Sequence, residues 1–329
     1  MADLFLGIDL GGTNCKVAFL EAGGLIAAQA SILTRAENGP GALVERIVGT
    51  VVGLMRQHQI MPESFKALGI GSPGPLSLKE GKIVNAGNLP GFDQFHMRGE
   101  LSSRLERPAV FDNDANAACW GEFWIGAGKD LTDMVLFTLG TGVGGGLVVA
   151  GELVHGAEDN GAELGHMIIR PGGRLCTCGQ HGCLEAHASA SHTAAKANDA
   201  LNEGRQSSLQ AVKQRSGMVT CKDVFDHAVA GDGLANEIVD DTATALAQGC
   251  VNMRHISEPQ AVVLTGGMVN AGSFLAERVQ KFYDEMIWTL KPEPMAIRLA
   301  ELGSNAGMIG AAGLALHAWQ QKKLYPVGI

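Results

Sequence analysis

Three cysteines and one histidine are spaced as ligands of a single metal ion. Cys176, Cys178 and Cys183 lie within eight residues, and His166 stands ten positions before the first of them. Thiolate and imidazole groups are the ligands of structural zinc sites. The spacing therefore predicts zinc held by these four residues, with a free-thiol loop as the alternative. A disulfide is disfavoured, because Cys176 and Cys178 are too close to pair and nothing indicates an oxidising compartment.

Two carboxylates flank this cluster. Glu163 stands three residues before His166, and Glu185 stands two residues after Cys183. A purely structural zinc loop does not require them. A metal-fixed loop would hold both carboxylates and the second nitrogen of His166 around one small space. Several acceptors facing inward suit a polyhydroxylated ligand.

A glycine-rich turn near the start of the chain has the features of a phosphate site. Strand-like residues 4–10 and 15–20 are joined by the sequence Gly-Gly-Thr-Asn. Glycine lets the backbone N–H groups approach an anion closely. Asp9 can hold Mg²⁺ through water, and Lys16 is either a phosphate contact or a solvated strand lysine. The residues assigned to this site are Asp9, Gly11, Gly12, Thr13, Asn14 and Lys16.

A second glycine-rich turn begins at Gly140. It satisfies G-x-G-x-x-G, but that dinucleotide fingerprint requires a helix after the glycines, and the residues that follow are strand-like. A Rossmann site is therefore disfavoured. The two hairpins share one design, which predicts a duplicated unit that offers two phosphate-binding tips to a shared cleft. The residues assigned to the second tip are Gly140, Thr141, Gly142, Gly144 and Gly145.

A polar turn follows the strand-like residues 109–111. Asp112, Asn113, Asp114 and Asn116 stand within five positions, just before a helix that runs through Trp124. Asp or Asn at a helix start is usually a cap. One cap needs one such residue, and the surplus makes this turn a candidate for a catalytic carboxylate.

The rest of the chain predicts a cytoplasmic α/β protein. Hydrophobic residues make up 46% of the chain, glycines number 45, and the net charge is −9. No basic stripe indicates a nucleic-acid surface, and no apolar run is long enough to cross a membrane. The N-terminus lacks a signal-peptide pattern. Helical spacing is found at 41–59, 190–256 and 305–321, and buried strands at 67–70 and 261–264.

Five motifs together resemble those of the ROK family of sugar kinases and repressors. The two glycine turns resemble the phosphate loops of hexokinase, actin and the heat-shock chaperone ATPases, and the Asn113–Asp114 pair, Glu163-x-Gly-His166 and the cysteine cluster follow in the family's order. The likeness runs from about residue 4 to about residue 313. It implies a two-lobed ribonuclease H-like α/β fold with duplicated βββαβα units. The implied lobes are 1–113 plus about 305–329, and 114–304 with the zinc loop, with the active site in the cleft between them.

The resemblance also implies roles for single residues. Asp114 matches the family's general base and Asn113 its sugar-binding neighbour. Glu163, His166 and Glu185 match its sugar-hydroxyl ligands. His166, Cys176, Cys178 and Cys183 match its structural zinc ligands. Gly74 and Asn88 fall near further sugar contacts, and Gly267 lies in the turn 265–268 that matches the adenosine side of the nucleotide site.

The implied activity is transfer of the γ-phosphate of ATP to the 6-hydroxyl of a hexose, with Mg²⁺ and structural zinc. Glucose is favoured, and N-acetylglucosamine, N-acetylmannosamine, mannose and fructose remain alternatives. A catalytically silent sugar sensor is a further alternative. A DNA-binding repressor is disfavoured because the first strand starts by Leu4. A homodimer in the cytoplasm, acting in carbohydrate metabolism without nucleic-acid or membrane partners, completes the expectation.

Overall fold

The computed structural model of this protein describes residues 2–85, 87, 89–288 and 295–328. The strands are β1 (Leu4–Leu10), β2 (Asn14–Glu21), β3 (Ile26–Leu33), β4 (Phe65–Ser72), β5 (Leu76–Ser77), β6 (Lys82–Ile83), β7 (Ala109–Asn113), β8 (Met134–Leu139), β9 (Val143–Val149), β10 (Glu152–Leu153), β11 (Ala261–Thr265) and β12 (Ala296–Leu299). The helices are α1 (Gly39–Gln57), α2 (Met97–Leu105), α3 (Asp114–Ile125), α4 (Glu185–Ala188), α5 (Ala190–Asn202), α6 (Leu209–Ser216), α7 (Cys221–Val229), α8 (Gly233–Ser257), α9 (Ser273–Met286) and α10 (Ala306–Gln320).

The chain forms two compact units. The first consists of residues 1–129, 153–162 and 304–329, and the second of residues 130–152 and 163–303. The chain first passes from the first unit to the second after Lys129, whereas the sequence predicted this boundary at 113/114. The boundary is later because α3 packs against α10 and so belongs to the first unit. The short segment 153–162 also belongs to the first unit, although it interrupts the second in sequence.

The first unit is built on a five-stranded sheet of order β3-β2-β1-β4-β7. β1 pairs antiparallel with β2, β2 antiparallel with β3, and β4 parallel with both β1 and β7. Apolar residues of β1 and β2 and of helix α1 are fully buried on this sheet, among them Leu6, Ile8, Phe19, Leu43 and Ile47. The parallel pairs place the carboxyl ends of β1, β4 and β7 at one edge, where ligand contacts are usual in α/β sheets.

Helix α10 packs so closely on this sheet that its backbone contacts the backbone of the strands. A Cβ atom on Gly7 would lie 1.9 Å from the carbonyl oxygen of Met308, and one on Gly69 would lie 1.9 Å from that of Ala311. Gly7 and Gly69 are neighbours in the register of β1 and β4. The predicted small-residue helix near the end of the sequence is therefore present, and glycines on the sheet allow its close approach.

The second unit has a sheet of order β10-β9-β8-β11-β12. β8 pairs antiparallel with β9 and parallel with β11, which pairs parallel with β12. This repeats the order of the first sheet, as the predicted duplication requires. The strands β8 and β11 are almost entirely buried, and helices α5 to α8 supply the mostly helical segment expected at 190–256. Among the described helices, none is long and apolar enough to cross a membrane.

Candidate active site and metal centre

Asn113 and Asp114 have different positions at the start of α3: Asn113 caps the helix, and Asp114 is the additional carboxylate beside the cap. Asn113 is the N-cap of α3, and its side-chain oxygen accepts hydrogen bonds from the backbone N–H groups of Ala115 at 2.8 Å and Asn116 at 3.4 Å. Asp114 is the first residue of the helix, and its Oδ1 accepts from the Ala115 N–H at 2.8 Å. The turn thus places a second carboxylate beside the capping residue.

Asp112 stabilises this turn by hydrogen bonds. It is 5% exposed, and its Oδ1 accepts from the Asn113 backbone N–H at 2.8 Å and from Nδ2 of Asn116 at 2.9 Å. Its Oδ2 lies 2.7 Å from Nε2 of His155. The sequence marked Asp112 as polar but gave it no role, and nothing in the sequence indicated His155, because the two residues are far apart along the chain.

Gly74 lies beside Asn113. β4 and β7 pair parallel with Ser72 opposite Asn113, so both chains leave the sheet at the same edge. A Cβ on Gly74 would lie 3.5 Å from Nδ2 of Asn113. The structure therefore brings Gly74, Asn113 and Asp114 together. Asn88, the other predicted sugar contact in this region, lies outside the described residues.

The first glycine turn joins β1 to β2. The Gly11 N–H donates to the carbonyl of Asn14 at 3.0 Å, and Thr34 closes the turn by donating from its hydroxyl to the Gly11 carbonyl at 2.6 Å. Gly12, Thr13 and Asn14 are exposed. Lys16 donates from its ammonium group to the carbonyl of Ser304, so the structure gives this lysine a partner within the protein.

Asp9 lies just before this turn, against the first residues of α10. A Cβ on Gly307 would come within 2.8 Å of the Asp9 carboxyl carbon, which shows how closely the helix start approaches it. Burial raises the pKa of Asp9 to about 6, the charge of Asp114 adds to the shift, and Lys16 opposes it. A divalent cation near Asp9 would restore the ionised form.

The second glycine turn joins β8 to β9. Gly140, Thr141 and Gly142 form the turn, while Gly144 and Gly145 lie within β9. The Gly144 N–H donates to Oγ1 of Thr138 at 3.1 Å. Gly145 makes room for Leu164, because a Cβ on that glycine would lie only 2.6 Å from the leucine side chain. Part of the glycine run is thus used for packing rather than for the turn.

The segment that carries Glu163 and His166 packs on β9 through these glycines. Residues Leu164–His166 form a single 3-10 turn, with Glu163 as its N-cap. A Cβ on Gly165 would lie 1.8 Å from the carbonyl oxygen of Val143, so the two backbones are in direct contact. Glu163 is exposed, and its carbonyl accepts from the His166 N–H at 3.0 Å.

Glu185 links the second glycine turn to the cysteine loop. Its Oε2 accepts from the Val143 backbone N–H at 3.0 Å, and its Oε1 accepts from the Thr177 hydroxyl at 2.7 Å and from Cys176 Sγ at 3.3 Å. Burial opposes its ionisation, but these hydrogen bonds outweigh burial and hold the pKa of Glu185 below its usual value. An ionised carboxylate has about four acceptor positions, so Glu185 retains capacity for a further donor.

The four predicted zinc ligands converge. Their ligand atoms all lie within 4.8 Å of one another. Sγ of Cys178 and Sγ of Cys183 are 3.8 Å apart, and Sγ of Cys176 is 3.7 Å from Nδ1 of His166. In a tetrahedral site with a Zn–S bond of about 2.3 Å, two sulfurs lie about 3.8 Å apart and a sulfur lies about 3.6 Å from a nitrogen. The donor set and its spacing fit Zn²⁺.

The ionisation of the thiols also fits a cation. Burial raises the pKa of the Cys176 thiol to about 12 and raises that of Cys183, whereas the backbone N–H of Gln180 lowers that of Cys178 to about 7. Two of the three sulfurs would therefore stay protonated without a nearby positive charge. Zinc binds thiolates, so its charge would compensate for their burial.

A cavity of about 570 Å³ lies within the second unit, beside the second glycine turn. Gly267, predicted for the adenosine turn, lines it together with Gly140 and Thr141. α7 supplies a wall that the sequence did not indicate. The remaining lining residues are Ala190, Cys221, Lys222, Phe225, Asp226, Met268 and Asn270. An aromatic ring, apolar carbons and a few polar groups beside a glycine turn suit a nucleobase and ribose.

Comparison with known proteins decides the family. The sequence model of the ROK family matches residues 5–318. The chain belongs to the ROK family. A relative, the glucokinase of Halalkalibacterium halodurans, is 34% identical over 94% of each chain. The N-acetylmannosamine kinase of Escherichia coli is 32% identical over 94% of this chain and 98% of that protein.

A solved ROK structure extends the likeness to the fold. The ROK glucokinase from Streptomyces griseus in complex with glucose and AMPPNP has a TM-score of 0.78 and 28% identity, covering 95% of this chain and 99% of that one. The predicted α/β fold of the actin and hexokinase type is thus confirmed. The family prediction made from the five motifs is confirmed as well.

Proposed function

We propose that this ROK protein is an ATP-dependent hexose kinase that transfers the γ-phosphate to the 6-hydroxyl of a hexose, with glucose as the favoured substrate. The observation that carries the proposal is the Asn113–Asp114 turn, in which a capping residue leaves a second carboxylate at a helix start. Similarity to a glucokinase over 94% of both chains supports the same activity.

Asp114 is proposed as the general base. A sugar hydroxyl is a weak nucleophile at neutral pH, so a carboxylate in hydrogen-bond reach takes its proton as the bond to phosphorus forms. The hydrogen bond from the Ala115 N–H to Oδ1 orients this carboxylate at the first position of α3. Asn113, whose side-chain oxygen is occupied by the cap, would use its amide N–H group to hold the sugar beside Asp114.

Glu163, His166 and Glu185 are proposed as ligands of the other sugar hydroxyls. Glu185 is held at both oxygens, which reduces the entropy that binding would cost. A site that accepts hydroxyl hydrogens from a sugar rejects deoxy analogues by up to about 10⁴. With zinc on Nδ1 of His166, Nε2 remains available to the substrate, so one ring would serve both metal and sugar.

The nucleotide is proposed to bind the glycine turns and the cavity lined by Gly267 and Phe225. Backbone N–H groups of the turns would hold phosphate oxygens, and the cavity would take the base and ribose. Asp9 would hold Mg²⁺ through water, which fits a buried carboxylate whose pKa is raised to about 6. When bound, Mg²⁺ neutralises charge on the phosphates during phosphoryl transfer.

N-acetylmannosamine and N-acetylglucosamine are the second candidates for the substrate, supported by 32% identity to an N-acetylmannosamine kinase. ADP release measured with glucose, mannose, fructose and both N-acetylhexosamines separates these substrates by kcat/KM. It also separates a kinase from a silent sugar sensor, which would release ADP with none of them.

The Asp114→Asn variant tests the mechanism. General-base catalysis contributes about 10² to 10⁴ in rate, so kcat should fall at least 100-fold while the sugar still binds. Sugar affinity is measured by intrinsic fluorescence, because Trp120 and Trp124 lie on α3 itself. Turnover within tenfold of wild type would remove Asp114 from the role of base.

A further inference from the structure

A short loop, residues 154–162, follows β10 and precedes Glu163. It is compact, because the Gly161 N–H donates to the carbonyl of His155 at 2.7 Å. It belongs to the first unit, whereas Glu152 before it and Glu163 after it belong to the second. Two of its side chains bind the first unit at positions next to the candidate site, and neither was indicated by the sequence.

His155 makes the first of these contacts. Its Nε2 lies 2.7 Å from Oδ2 of Asp112, whose side chain is 7% exposed, while that of His155 is 32% exposed. Because a carboxylate is an acceptor, Nε2 carries the proton and donates it to the hydrogen bond. The other oxygen of Asp112 accepts from the Asn113 backbone and from Asn116. His155 is therefore the partner of the carboxylate oxygen that the turn itself does not use.

Asp159 makes the second contact. Its Oδ2 accepts from the Leu78 backbone N–H at 2.9 Å. Leu78 follows the Gly74 turn and β5, so the loop reaches two of the segments for which sugar contacts are proposed in this unit. Asp159 has a φ of 60°, a left-handed conformation that an aspartate tolerates better than most residues. The loop is thus seated by specific hydrogen bonds rather than by apolar packing alone.

We propose that His155 is a positioning residue for phosphoryl transfer, acting through Asp112 on the Asn113–Asp114 turn. The inference rests on the proposed role of Asp114 as general base. Asp112 is hydrogen-bonded to the backbone at Asn113, so a shift of its carboxylate moves the residue that precedes the base. A displacement of about 1 Å at reacting groups can cost about 10² in rate. Loss of the His155 bond should therefore lower kcat without removing any group that touches the sugar.

The experiment compares His155→Leu, His155→Gln and His96→Leu in the full chain. His96 is the control, because it is a histidine of the same unit whose Nδ1 contacts only the carbonyl of Glu80 among the described bonds, at 3.3 Å. His155→Leu should lower kcat about 10- to 100-fold and change the KM for glucose less than threefold. His155→Gln, which retains an N–H donor, should recover at least half of the loss on a logarithmic scale. His96→Leu should keep wild-type kcat.

A double-mutant comparison checks that His155 acts through Asp112. If it does, Asp112→Asn combined with His155→Leu should lower kcat no further than Asp112→Asn alone, because the bond is already altered. Additive losses would overturn the proposal. So would a kcat of His155→Leu within twofold of wild type, a change in KM alone, or equal losses in His155→Leu and His96→Leu.

Asp114→Asn is measured in the same assay, so that the role of Asp114 as base and the role of His155 as positioning residue can be refuted independently. An inactive Asp114→Asn with a fully active His155→Leu would overturn only the positioning role. A fully active Asp114→Asn would overturn the proposed base, whatever His155 does. Thermal unfolding is recorded for each variant, and a fall in kcat that is explained by unfolded protein at the assay temperature also counts against the proposal.

Discussion

Replacing Asp9 by asparagine should stabilise the protein when neither Mg²⁺ nor nucleotide is added. Burial and the nearby Asp114 raise the pKa of Asp9 from 3.8 to about 6, and Lys16 offsets only part of the shift. A difference of about 2 pKa units corresponds to about 3 kcal/mol between the ionised and protonated forms. Keeping Asp9 ionised in the folded protein therefore lowers the free energy of unfolding, and an isosteric amide avoids this loss.

The sign of the effect follows from proton binding. Because the folded state binds protons at Asp9 more tightly than the unfolded state, the free energy of unfolding falls as pH rises from 3.8 through about 6. At pH 8 the whole cost is present, so Asp9→Asn should gain up to about 3 kcal/mol over wild type. At pH 5 Asp9 is largely protonated in the folded state, and the gain should fall to about half.

Urea unfolding followed by tryptophan fluorescence measures this difference. Trp120, Trp124 and Trp319 belong to the same unit as Asp9, so the signal reports on the affected part of the chain. Asp3→Asn is the control, because Asp3 forms an exposed ion pair with Lys66, and such pairs contribute at most about 1 kcal/mol. A gain for Asp9→Asn that is the same at pH 5 and pH 8, or a loss of stability at pH 8, would refute the reasoning.

Three further predictions concern the metal loop, the cavity and the packing of α10. Thr177→Val should retain full zinc content and raise the sugar KM about tenfold, since it removes only the hydroxyl that donates to Glu185. Cys178→Ser should raise the sugar KM and also lower the zinc content, as measured by metal analysis. Gly267→Val should raise the KM for ATP with unchanged thermal stability, because a Cβ there meets no atom within 4 Å and extends into open space; an unchanged KM would exclude this cavity as the nucleotide site. Gly7→Ala should destabilise the first unit by about 3 kcal/mol or more, because its Cβ would overlap the Met308 carbonyl oxygen; Gly41→Ala, where space is open, is the matched control in urea unfolding.

Local spacing was enough to predict the convergence of His166 with the three cysteines and the helix start at Asp114. Cys176, Cys178 and Cys183 are close in sequence, so their convergence needs only a tight loop. The duplicated hairpins were visible because each alternates apolar strands with glycine turns, and the two sheets share one strand order. These features depend on contacts between residues that are near in the chain.

Long-range partners were not predictable in the same way. His155 contacts Asp112 across 43 positions, and α7 lines the cavity beside Gly140, which lies several elements earlier in the chain. Neither His155 nor Phe225 stands in a motif. The glycines of β9 were assigned to phosphate binding by their pattern, yet Gly145 makes room for Leu164, which only the packed structure reveals.

The seating of α10 on β1 and β4 has a consequence for biosynthesis. The groove at Gly7 and Gly69 is made early in translation, but the helix that fills it is translated only after the whole second unit. Until then, the part of the first sheet around Gly7 and Gly69 is not covered by α10, and an incompletely packed sheet is prone to chaperone binding or non-native association. The second unit is nearly continuous in sequence, so it can fold first. The first unit can complete its packing only once α10 has left the ribosome.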